Sequence, residues 1–323
     1  MASVESRRAV LAALGANVSI TVGKLAAGVL TGSGAMFAEA VHSAADSVNQ
    51  VFLLVGLRLS ETRADDEHPH GYGKEAFFWS FLAAIFIFVA GATFSLFEGI
   101  RTLIDNEFHS RSTGELAVAF TVLGLAFLFE GASLIVVIRG IRARSKSRGW
   151  SFAQFLRRSP DMTMKTVFWE DSAATAGLIV VAVGLALTEV AENEAWDGVA
   201  SVIVGVILTA VALMLGAQSR RMLIGAAATE DVRETLREKV MAFDEVELIV
   251  RLLTMQLGAR SVLVSGELQL ATDLTTEEIE DLLLRIDRDV HAALPQVSDT
   301  FWELRRHPMD TLVARRVFES PGG

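Results

Sequence analysis

The stretch FAEAVHSAADSV, Phe37 to Val48, places Glu39, His42 and Asp46 inside an apolar run. On a helix His42 and Asp46 stand at i and i+4, so both side chains project from one face. A neutral imidazole beside a carboxylate supplies half of a four-coordinate divalent-metal site. The same imidazole could carry a proton, since its unperturbed pKa is roughly 6.5. The plainer alternative is a His–Asp pair that only ties helices together. Glu39 lies three residues before His42 and could either orient the imidazole or face a neighbouring helix.

A second group is Phe168-Trp169-Glu170-Asp171-Ser172, again at the edge of an apolar run. Adjacent helical positions diverge by about 100°. Glu170 and Asp171 therefore need not share a direction: one can ligate while the other pairs or titrates, or both can sit at a water interface. Glu130 is a third central acid, open as a ligand, a proton site or a partner for Lys24. Glu98 falls near a segment end and reads as interfacial. Asn17, Asn49 and Gln50 read as interhelical hydrogen-bonders. The connection Asp65-Asp66-Glu67-His68-Pro69-His70-Gly71-Tyr72-Gly73-Lys74 sets carboxylates beside imidazoles, where Asp65 and His68 form a candidate second metal position; a solvated Pro/Gly turn is the competing reading.

These residues need long apolar elements to position them. The chain has 323 residues, 51% of them hydrophobic, and a mean hydropathy of +0.41, too apolar for an ordinary soluble domain. A bilayer-spanning helix takes roughly 20 mostly apolar residues. Six segments meet that: Ala9–Leu30, Met36–Leu59, Phe77–Leu103, Leu116–Ile138, Thr166–Thr188 and Trp196–Leu215. The small residues of the second and fifth (Ala38, Ala40, Ala44, Ala45; Ala173, Ala174, Ala176, Gly177) suit close helix approach. The connection between the fourth and fifth carries Arg139, Arg142, Arg144, Lys146, Arg148, Arg157, Arg158 and Lys165. The positive-inside rule places it in the cytoplasm, with both termini, and Arg7, Arg8, Arg220 and Arg221 agree. Within that connection Trp150, Phe152, Phe155 and Leu156 alternate with Arg157 and Arg158, which fits an interfacial amphipathic helix or a basic linker equally well.

After Arg221 the pattern changes. Thr229-Glu230-Asp231 opens a helix to about Phe243. Val246–Leu257 and Ser261–Ala271 read as strands joined at Gly258-Ala259-Arg260. Thr275-Thr276-Glu277-Glu278 opens a second helix that Pro295 ends, and Val297–Leu304 is a third strand. The expected fold is an α-helical membrane protein: six transmembrane helices over 1–221, a small α+β (ferredoxin-like) cytoplasmic domain over 222–306, and a tail over 307–323.

Composition removes several functions. No cysteine exists, so there is no disulfide or thiolate metal site. The net charge is −10, mostly in the last third, which argues against a nucleic-acid partner. No HExxH motif is present, which argues against an intramembrane metalloenzyme. A metal-binding scaffold without transport stays open.

The layout of six spans, HSAAD in the second, DDEHPHGYGKE before the third and an α+β domain after Arg220-Arg221 resembles the cation diffusion facilitators over about Arg8 to Arg306. FWEDSAA is similar to the branch that includes the mitochondrial zinc transporter of animals. The resemblance implies a homodimer, paired through its soluble domains, that exports a divalent cation in exchange for protons. The cation would be zinc first, with manganese, iron(II) or cobalt as alternatives. By position it implies His42, Asp46 and Asp171 as ligands. The family's usual histidine in span five falls on Val167, and Glu170 is the nearest replacement. In the second connection Tyr72 stands where the family has a histidine, and in the soluble domain only His291 and His307 are imidazoles. One imidazole with more carboxylates is a harder donor set, which suits manganese or iron better than two imidazoles would. With no transit peptide visible, a bacterial inner membrane is the expected location.

Overall fold

The protein is described by a computed structural model over residues 18–105, 107–108 and 110–305. Asn17, the start of the first expected span, Arg7, Arg8, His307 and the tail lie outside the described residues. The chain divides into two compact units, one through Arg63 with Lys74–Leu223, the other Ala64–Gly73 with residues from Ile224 onward.

The first unit is helical. Helix α1 (Val18–Thr31) turns at Gly32, whose φ of +62° suits a residue without Cβ, into α2 (Gly34–Ser60). Ser33 caps α2, accepting from Met36 N at 3.2 Å. Helices α3 (Glu75–Phe86) and α4 (Thr93–Asp105) are joined through a π-helical turn, Ile87–Ala92. Then follow α5 (Thr113–Ser147), the short α6 (Phe152–Arg158), α7 (Met162–Ala191) and α8 (Ala195–Ile224). Among the described residues, four stretches are long and apolar enough to cross a membrane: Glu75–Asp105, Thr113–Ser147, Met162–Ala191 and Ala195–Ile224. At 27 residues α2 is about 40 Å long, but its buried polar groups dilute its hydropathy. The core joins Met36, Ile87, Leu123, Leu178, Leu185, Val204 and Leu208. Val29, Phe97, Ile104, Leu128, Val136 and Leu213 point outward, as a lipid-facing surface requires.

Two expectations gain detail. Helix α5 runs past Ile138 to Ser147, since nothing in the basic stretch breaks a helix. The aromatic-basic connection is a helix with Phe155 buried, and the Phe152 ring meets Phe168 edge to face with centroids 5.4 Å apart.

Arg111, just before α5, ties three elements together. Its guanidinium donates to Thr31 O at 2.6 Å, Glu189 at 2.9 Å and Glu194 at 3.1 Å. Burial pulls its pKa down, but the two carboxylates outweigh that and raise it. Arg111→Ala leaves two acids without their cation and should cost about 2–4 kcal/mol, read by thermal unfolding in detergent. Arg111→Lys should recover only part, because it lacks the planar fork.

The second unit contains α9 (Glu230–Met241), β1 (Val246–Gly258), β2 (Ser261–Leu270), α10 (Thr276–Ala293) and β3 (Val297–Leu304). The sheet order is β1-β2-β3. β1 and β2 pair antiparallel, Leu252 opposite Gly266; β2 and β3 pair parallel, Val264 opposite Thr300. A parallel pair needs a crossover, which α10 supplies. Thr275 and Glu278 form a capping box at its start. Leu236, Val240, Val264, Leu268, Leu282, Ile286 and Val290 fill the core.

Candidate metal site

The stripe on α2 is the centre. Glu39, His42, Asp46 and Asn49 recur at intervals of three, four and three, so they lie along one face. All four are buried. His42 Nε2 lies 3.5 Å from Asp46 Oδ2, as the i, i+4 spacing predicts. Among the described residues neither His42 nitrogen has a hydrogen-bond partner, and neither does Asp46 Oδ1. An imidazole and a carboxylate held this way keep their lone pairs available to a cation.

Helix α7 presents the complement. Glu170 and Asp171 are both buried, so neither sits at a water interface. They diverge. Asn49 of α2 donates to Glu170, whereas Asp171 Oδ2 accepts from Ser133 of α5 at 2.7 Å. Among the described residues no group of three or more His, Asp or Glu is gathered as a ready metal cage. The structure brings His42 to Asp46 and Glu170 to α2, and it turns Asp171 toward α5. Val167 lies one turn before Asp171 and is partly buried. Glu130 is buried on α5, close enough for its charge to act on Asp46 and His42.

Lys24 does not pair with Glu130. It donates to Glu39 at 3.0 Å and to Ser43 at 2.6 Å, because the turn at Gly32-Ser33 brings α1 back alongside α2. Glu39 therefore faces the neighbouring helix, not the imidazole. On α7, Gly177 allows the approach to α2: a Cβ there would lie 2.6 Å from Glu39 Oε1.

The candidate second position lies in the other unit. His68 Nδ1 is 3.9 Å from Asp65 Oδ1, and both residues are exposed. Asp65 Oδ1 accepts from the N–H groups of His68 and Glu67, and Oδ2 from the Tyr72 hydroxyl at 2.8 Å. These bonds, the one from His68 N–H first, hold its pKa below the usual carboxylate range. His70 Nδ1 meets Asp299 Oδ2 at 3.2 Å. His291 is exposed on α10 with Nδ1 2.7 Å from the Asp287 carbonyl.

Residues 10–224 match the cation efflux transmembrane domain family. The chain belongs to that cation efflux family. Among similar proteins is metal tolerance protein C4 of Arabidopsis thaliana, 35% identical over 233 residues, 72% of this chain and 50% of that protein. The mitochondrial proton-coupled zinc antiporter of Xenopus laevis is 32% identical over 275 residues, 84% of this chain and 48% of that protein. The manganese efflux system protein MneP of Bacillus subtilis is 23% identical over 300 residues, 91% of this chain and 94% of that protein. The chain spans about half the length of the first two. As a cation efflux family member it is an integral membrane protein, and its family is one of transporters, not enzymes.

Proposed function

We propose that this chain exports a divalent metal cation from the cytoplasm in exchange for protons, by alternating access at a site built from α2 and α7. The observation that carries this is the buried His42–Asp46 pair with unmatched lone pairs, on a helix packed against α7 with its buried Glu170 and Asp171. Buried ionisable groups in a spanning helix are costly and mark a pathway. The ligands are His42, Asp46, Asp171 and Glu170, the last replacing the missing imidazole at Val167. Ser133 and Asn49 act as resting partners that the cation displaces. Metal ligands bind deprotonated, so loading the site releases protons, which is the basis of the exchange. Zinc is the first candidate cargo, in keeping with the zinc antiporter relative. Manganese or iron(II) on the same fold is the second reading, favoured by the carboxylate-rich donor set and by the manganese efflux relative. Asp65 and His68 form a secondary cation position. We place residues 1–221 as the transport domain and 222–306 as the domain through which two copies pair. Both termini are cytoplasmic, and the membrane is a bacterial inner membrane.

The test is flux of zinc, manganese, iron(II) and cobalt into proteoliposomes by wild type and Asp171→Ala. Asp171→Ala is expected to lower flux at least about 100-fold, since it removes one of the proposed ligands outright. Binding of a cation without flux in the wild type would instead support a membrane metal-sensing scaffold.

A further inference from the structure

Among the described residues, four side chains on one face of α2 keep buried polar atoms without hydrogen-bond partners: Glu39 Oε1, both nitrogens of His42, Asp46 Oδ1 and Asn49 Oδ1. Folded proteins leave few such groups. A row of them about 15 Å long on a single stripe is a donor set directed at something other than protein. His42 and Asp46 belong to the transport site proposed above. Glu39 does not.

Glu39 heads the stripe and is 0% exposed. One of its oxygens takes the Lys24 ammonium at 3.0 Å, and the same ammonium donates to Ser43 at 2.6 Å. The other oxygen points at α7, where Gly177 leaves room for it. A simple tie between α1 and α2 would not need the second oxygen left without a hydrogen-bond partner.

We propose that Glu39 is a second divalent-cation subsite, one helical turn from His42, and that Lys24 is a tethered cation competing with the passing metal for it. The proposal rests on the transport reading. A cation leaving His42 and Asp46 moves about 5 Å along the stripe to reach Glu39. There it meets a carboxylate already half neutralised by an ammonium. Two cations on one carboxylate repel each other strongly where water is scarce. The metal is therefore held briefly and released, and Lys24 closes again on Glu39. Without the lysine the same carboxylate would trap the ion.

The test titrates zinc and manganese, each alone, into the purified full-length chain and measures flux in proteoliposomes. Lys24→Met keeps the apolar stem and removes the charge. It is expected to bind one more cation per chain than wild type, at least about tenfold tighter, and to transport about tenfold more slowly. Lys24→Met with Glu39→Gln should return to the wild-type number of bound cations. Should Lys24→Met not fold, Gly177→Ala provides the reading: it displaces Glu39 Oε1, keeps His42 and Asp46, and should cut flux about fivefold or more. Wild-type stoichiometry and affinity in Lys24→Met, an extra cation that persists in the double variant, or full flux in Gly177→Ala would each overturn the subsite. A wild type that moves no cation at all would overturn the transport reading itself, which is a separate result.

Discussion

Asp46→Asn should abolish cation flux, by at least about 100-fold, and leave the fold as stable as the wild type or more so. The substitution keeps shape and volume. It removes one ionisable acid from a buried region that also contains Glu39, Glu130, Glu170 and Asp171. The lysine nearest this stripe, Lys24, is engaged by Glu39 and Ser43. Ionising an acid in a low-dielectric interior beside other acids is costly, so a neutral amide of the same shape relieves the protein of that cost. Metal binding changes in the opposite sense. The amide oxygen is a neutral and weaker donor than a carboxylate, and an amide beside His42 would lack the charge that draws a dication out of water. Two measurements read the two halves: thermal unfolding in detergent and flux in proteoliposomes. Lost flux with a lowered melting temperature would mean that Asp46 only holds the helices together. Retained flux would remove Asp46 from the path.

The sequence made the His42–Asp46 pair legible because helical periodicity is local. Spacing of i and i+4 needs no tertiary information, and the 3.5 Å separation follows from it. The soluble unit was legible for the same reason. Its strands alternate, its second helix opens on Thr275 with Glu278, and β3 runs over Val297–Leu304 as read. Partners far apart in the chain were not legible. Asn49 meets Glu170, and Ser133 meets Asp171, only because α2, α5 and α7 pack together. A hydroxyl or amide in a spanning helix has many candidate partners, and periodicity does not choose among them. Lys24 could have been assigned. With a turn at Gly32-Ser33, α1 and α2 run side by side, and the acid level with Lys24 is Glu39, not Glu130. The π-helical turn at Ile87–Ala92 left no signal, since its composition is that of any apolar helix.

Val167→His is the change expected to alter selectivity most. Val167 and Asp171 stand at i and i+4 on α7, the same spacing as His42 and Asp46 on α2. An imidazole there would give α7 the donor pair that α2 already carries. Val167 is partly buried, so a ring can be placed without opening the core. Two imidazoles and two carboxylates favour zinc over manganese, because nitrogen donors strengthen zinc binding more than they strengthen manganese binding. In vesicles offered both cations together, the zinc-to-manganese flux ratio should rise about tenfold or more, which corresponds to about 1.4 kcal/mol of selectivity. The new ligand also frees Glu170 from its proposed role. Glu170→Gln should therefore cost the wild type most of its flux but cost the Val167→His background little. That difference between backgrounds is the sharper observation, because a distortion of α7 by the ring would lower flux in both. If Glu170→Gln is equally damaging with and without the histidine, Glu170 serves the packing of α7 against Asn49, and the fourth ligand must be sought elsewhere, with Glu130 the next carboxylate in reach of Asp46.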